Sequence, residues 1–173
     1  SRSLLDRYDP SLVVAVERCS LTGTGSYFNT NTPRKDISEY TAQVDDLFTE
    51  HPATVGVGDG GNEIGMGKLK DVIPTVPTLA PDPAETACTH LVICTVSNWG
   101  GYGLAAALAV LTGQDLLVSR EDEAGIIRRM VDRGAVDGSF LERIYGVDGM
   151  TLEENLEVLD SLHELVRTHG AVS

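Results

Sequence analysis

Lysine is scarce in this chain: its 173 residues include three, at Lys35, Lys68 and Lys70. All basic residues together number 13 against 26 acidic ones, for a formal net charge of −13. That balance argues against nucleic acid and against anionic membrane surfaces, since binding either requires positive charge facing phosphate. Long apolar runs are also absent, so no segment reads as a membrane-spanning helix. No basic-then-apolar leader opens the sequence, and a cytoplasmic location is the expectation. Cysteine is limited to Cys19, Cys88 and Cys94, widely spaced and odd in number. This excludes a disulfide framework or a paired-cysteine zinc site and fits buried thiols in a reducing compartment. The four histidines (His51, His90, His163 and His169) have no ligand spacing to one another. "CSLTGTGS" does not set a serine in a nucleophile elbow, so a serine hydrolase finds no support.

Glycine is abundant. "VGVGDGGNEIGMG" spans 55–67, and six of its thirteen residues are glycine. Each glycine inside an element costs about 1 kcal/mol relative to alanine, so a cluster this dense needs a structural or functional cause. Around it the chain alternates between elements. "SLVVAV" (11–16), "TVGVG" (54–58) and "THLVICTVS" (89–97) read as strands buried on both faces. The segment 1–10 reads as the tail of a helix leading into the first strand. Helices are expected over 37–51, irregularly over 63–73, and over 102–113, 121–134 and 151–170. Thr151 and Glu154 stand at capping-box spacing before the last of these. Loops fill 18–37 and the proline-rich 74–86. The order implies a single α/β domain over 1–173, a mostly parallel sheet with flanking helices in a Rossmann-like layered arrangement. Its motif core covers 11–113, and an acidic helical part follows over 114–173.

Residues 56–61, "GVGDGG", have the spacing G-x-G-x-x-G after a strand, the geometry of a dinucleotide cradle. Charge opposes that reading. Asp59 lies inside the loop and Glu63 just beyond it, and two carboxylates facing a diphosphate repel it by several kcal/mol in a water-poor cleft. No nucleotide cofactor is expected. A divalent cation suits the stretch better: Asp59 and Glu63 supply hard oxygen ligands and Asn62 one more. If a helix begins near residue 59, the two acids share one face. Mg2+ or Mn2+ is the expected ion, with Ca2+ as the alternative. The competing structural account makes Asp59 an N-cap and Glu63 a dipole partner, which leaves six glycines unexplained.

Two other strands end in polar residues. "VAVERC" delivers Glu17 after the first strand, and "TVSNWGGYG" delivers Ser97, Asn98, Trp99 and Gly100 after the third. In open α/β sheets ligands bind at the carboxyl ends of strands, so these groups are expected to converge with Asp59, Asn62 and Glu63. Each also has an ordinary explanation, as ion pair, helix cap or core residue.

Taken together, "VAVERCSLTGTGSYFN", "VDDLF", "GVGDGGNEIGMGK" and "HLVICTVSNWGGYGLAAAL" resemble the D-glutamate cyclase-like C-terminal domain family over roughly residues 4–113. The resemblance implies a lyase interconverting D-glutamate and 5-oxo-D-proline, so the expected partner is a small molecule, an amino acid or its lactam. It implies catalytic roles for Glu17, Asp59 and Glu63, a cation on Asp59 and Glu63, and substrate contacts from Asn62, Ser97, Asn98, Trp99 and Gly100. Family members generally carry an earlier Gly-rich segment before the first strand, which is expected to be missing here. The helix 102–113 or the sheet edge at 11–16 is then expected to be left exposed or covered by another copy, with a homo-oligomer or association with that segment as the expected partners. The alternative to a cyclase is a metal-dependent hydrolase or binding module for a small metabolite, including a phosphorylated one.

Overall fold

The computed structural model describes residues 2–31 and 33–170, which group into two compact units, 1–100 and 101–173. Helix α1 (Arg2–Tyr8) leads into strand β1 (Val13–Val16), followed by a long loop, the short helix α2 (Asp46–Thr49) and strand β2 (Thr54–Gly58). After the glycine-rich segment come strand β3 (His90–Ile93) and helix α3 (Ser97–Thr112), whose first turn closes the first unit. The three strands form one parallel sheet in the order β1-β2-β3, with Ala15 opposite Gly56 and Gly56 opposite Leu91. The α/β class and the parallel sheet agree with the sequence.

The strands are not all buried on both faces. Only β2 is buried throughout; Val14 and Val16 of β1 are 46% and 40% exposed, and Ile93 of β3 is 62% exposed. The cause is position: β2 lies between two neighbours, while β1 and β3 are the edges of a three-stranded sheet. The covered face carries Val13, Ala15 and Leu91, packed with Phe48, Ile64 and Cys88. A second cluster joins Met66, Ile73, Ala80 and Ala84.

Two expected helices fail. Over 37–51 there is a 3-10 turn at Ser38–Tyr40, extended chain at Thr41 and a single α-turn at 46–49. Side chains there bond across the loop rather than along a helix: Tyr27 N–H donates to Ser38 Oγ, and Asp45 is claimed by four donors from distant segments. Over 63–73 only 3-10 turns form, at Gly67–Leu69 and then Ile73–Thr75. Its backbone donors point sideways, Ile64 N–H to Arg18 O and both Gly65 and Gly67 N–H to Thr86 O, which leaves no i−4 ladder.

The second unit follows helical expectation. Helix α4 (Arg120–Asp132) is N-capped by Ser119, whose Oγ accepts from Asp122 N–H. Helix α5 (Leu152–His169) begins with the full capping box of Thr151 and Glu154. Leu117 and Leu159, with Ala106 of α3, form its core. A small antiparallel pair, β4 (Gly146–Val147) and β5 (Met150–Thr151), had no alternating pattern to reveal it. Among the described residues no helix is long and apolar enough to cross a membrane.

Candidate functional site

The parallel register sets three strand ends side by side, because Val16 pairs with Val57 and Gly58 with Ile93. Glu17 follows β1 directly, Asp59 follows β2, and Glu63 returns to the same place from the glycine loop. One carboxylate oxygen from each of Glu17, Asp59 and Glu63 lies within 4.8 Å of the others. The expected convergence of these acids at the strand ends is therefore present, although Glu63 does not reach it on the expected helix. No helix runs from residue 59; the chain curls so that Glu63 points back into its own loop.

That curl is held by hydrogen bonds. Glu63 Oε1 accepts from Gly60 N–H at 2.7 Å and from Asp59 N–H at 3.3 Å, and Oε2 accepts from Gly61 N–H at 2.8 Å. The side chain is 2% exposed. Burial pushes the Glu63 carboxyl upward, the Gly60 N–H opposes that, and the Asp59 charge adds to the rise. The glycines now have causes. A Cβ at Gly58 would lie 2.9 Å from Glu63 Oε2, and Gly61 has φ +92°, which a side chain resists. Gly58 and Gly60 leave room for the carboxylate, whereas Gly56, Gly65 and Gly67 admit neighbouring backbone and Cys88.

Asp59 is fixed from the other side. Its Oδ2 accepts from Ser97 N–H at 3.0 Å and from Ser97 Oγ at 3.1 Å, so it caps α3 rather than any helix of its own loop. Ser97 is fully buried and holds Asp59. Glu17 is exposed and has φ +54°, a left-handed conformation uncommon for a residue with a side chain and often found at functional positions.

The remaining site candidates divide. Asn62, 9% exposed, donates from Nδ2 to Phe28 O at 2.9 Å and tethers the loop after β1. Asn98 and Trp99 are half-buried in the first turn of α3. Gly100 is a packing position: a Cβ there would stand 2.4 Å from Val57 Cγ1 and 2.5 Å from Cys94 Sγ. Sequence reasoning gave no role to Asp45, whose carboxylate accepts from Ser20 Oγ (2.8 Å), Leu21 N–H (3.0 Å), Tyr27 OH (2.6 Å) and Thr86 Oγ1 (2.5 Å). Burial would raise its pKa, but the bonds from Thr86, Tyr27, Leu21 and Ser20 outweigh burial and hold it low. This anchor ties the loop carrying Phe28 to the segment before β3. Cys19 and Cys94 lie beside the acids, and burial raises both thiols.

The donor set is three carboxylates with no histidine, which suits a hard cation. Comparison with known proteins bears on the family of the chain. Residues 3–163 match the model of the family described as D-glutamate cyclase-like, C-terminal. The chain belongs to that family. It is similar to the mitochondrial D-glutamate cyclase of Homo sapiens, 38% identical over 105 residues. The matched part is 57% of this chain and 17% of the human protein, so the chain corresponds to a small part of that relative's length. Glu17, Asp59 and Glu63 all fall inside the family match.

Proposed function

We propose that this domain acts on D-glutamate and 5-oxo-D-proline, interconverting them by loss or gain of water, with Glu17 and Asp59 at the reacting centre. The observation that supports it is the meeting of Glu17, Asp59 and Glu63 at the carboxyl ends of β1 and β2, within a family named for D-glutamate cyclase. Cyclisation forms a bond from the α-nitrogen to the γ-carbon and breaks one carbon–oxygen bond, whose oxygen leaves as water. The ammonium must first lose a proton. Glu17, exposed and held at the end of β1, is the base for that step.

Three clustered acids fit a divalent cation, Mg2+ or Mn2+ first and Ca2+ as the alternative. Asp59 is the residue that would hold it, with Glu17 beside it as the base and Glu63 behind them. When bound, such an ion would draw charge from the substrate's γ-carboxylate and make its carbon electrophilic. Asp59 keeps its position through Ser97, which leaves Oδ1 for a ligand. Asn98, in the first turn of α3, orients the substrate's α-carboxylate, with Trp99 closing the same end of the sheet. We place the chain in the cytoplasm, a location with which its three free cysteines accord.

The test is proton NMR of the purified chain with D-glutamate or 5-oxo-D-proline, with and without Mn2+-group cations. Conversion of either compound, stereospecific and lost in Glu17→Gln, is the expected result. Cation binding without conversion, or hydrolysis of a phosphorylated metabolite instead, would overturn the cyclase assignment.

A further inference from the structure

The loop 56–61 has the spacing of a phosphate cradle, yet carries acids where a phosphate would sit. The structure resolves the conflict. In such cradles successive backbone N–H groups converge on an anion. Here the N–H groups of Asp59, Gly60 and Gly61 converge on Glu63, four residues or fewer away in the same chain. We infer that Glu63 is the built-in anion of this loop, a positioning residue that shapes Asp59–Gly61 and so aims Asp59, rather than a ligand or catalytic group itself.

Three further observations bear on this. Both Glu63 oxygens are already engaged by backbone donors, and the residue is 2% exposed, whereas Glu17 is open to solvent. The Glu63 backbone is pinned as well: it bridges Cys19, and its neighbours Asn62 and Ile64 bond to Ser20 and Arg18. A Cβ added at Gly58 or Gly60 would stand 2.9 or 3.0 Å from the carboxylate oxygens, so neither position has room for a side chain. An ion ligand would need lone pairs directed outward; this carboxylate faces its own backbone.

The inference refines the cation reading and rests on it for one readout only. Glu63→Ala empties the nest, and formate is small enough to refill it. The chain and its Glu63→Ala and Glu63→Gln variants are compared by thermal melting, by Mn2+ titration, and by amide shifts of residues 59–61 during formate titration. Glu63→Ala is expected to melt lower and bind Mn2+ about 10–100-fold more weakly, as for loss of a group that orients a ligand. Formate should restore both saturably and shift the amides of Asp59, Gly60 and Gly61. Glu63→Gln should lose both together without rescue, because its amide NH2 meets N–H groups. A Glu63→Gln protein that melts like wild type but no longer binds Mn2+ would make Glu63 a direct ligand and overturn the inference. So would a folded Glu63→Ala whose amides and melting ignore formate. If wild type binds no Mn2+, the cation reading fails, while formate's effect on melting and on the three amides still decides the role of Glu63. If Glu63→Ala stays unfolded at every formate concentration, the paired melting and Mn2+ results for Glu63→Gln decide it.

Discussion

Residues 1–100 and 101–173 keep their shape by different balances of apolar and polar packing. The second unit relies mainly on helices with regular caps and on an apolar core of Ala106, Leu117 and Leu159, with a buried carboxylate, Asp137, accepting from Ser139, Phe140 and Gly149 N–H in the turns before and after β4. The first has four-residue strands at its sheet edges, helices of seven residues or fewer before the start of α3, and long loops that two buried carboxylates organise. Asp45 gathers four donors from three segments, and Glu63 gathers three from its own loop. Buried acids elsewhere are a liability unless fully bonded. Here Asp45 and Glu63 are bonded by four and three donors, and Glu63 itself belongs to the acid cluster with Glu17 and Asp59. The lesson is that buried carboxylates organise most of the loops in the first unit, whereas in the second Asp137 does so for one turn and capped helices do the rest.

The contrast can be broken by substitution. The largest effect is expected from Leu159→Ala in the fully buried core of the second unit, about 2–5 kcal/mol in urea unfolding. Asp45→Asn in the first unit should cost about 1–3 kcal/mol, because its NH2 cannot accept the donors that the carboxylate now satisfies. Comparable losses from an apolar and a polar truncation would sharpen the comparison. A neutral Asp45→Asn would show that the loop network carries little.

Acid melting adds a sign. The Asp45 pKa is lower in the fold than in the unfolded chain, where it lies near about 4. Its contribution is therefore fully present above that pH and is lost as pH falls through the folded value. Wild type should lose stability below about pH 4 more steeply than Asp45→Asn, as read from melting temperatures across a pH series. Parallel curves would remove Asp45 from the account. The smallest effect should come from Thr151→Ala, which deletes a cap of α5 and costs about 1 kcal/mol.

Legibility in the sequence follows the same division. Helices α4 and α5 were readable because capping residues, dipole-matched charges and apolar spacing are local signals. The parallel sheet was readable from three β-branched runs separated by crossovers. The failed helices at 37–51 and 63–73 depend on partners such as Tyr27, Arg18 and Thr86, far away in sequence, so no local pattern could reveal them. In the site, Glu17, Asp59 and Glu63 could be picked out as residues at strand ends. Their division of labour could not, since it depends on which way the Glu63 carboxylate turns and on Ser97 reaching Asp59. Glycine density signalled close backbone approach and was read as a cation site; only the hydrogen bonds show that the loop's N–H groups meet Glu63.

The central claim, that the acid cluster meets a cation through Asp59, is tested most directly by calorimetric Mn2+ titration of wild type and Asp59→Asn. Asparagine can still accept from Ser97 N–H and Oγ through its carbonyl, and it caps about as well as aspartate, so the fold and its melting temperature should survive. The account predicts saturable binding by wild type and a loss of at least about tenfold in the variant, as expected for a charge removed from the ion's ligands. Equal affinity in the two proteins, or no binding by wild type, would contradict it and leave Asp59 as a cap for α3.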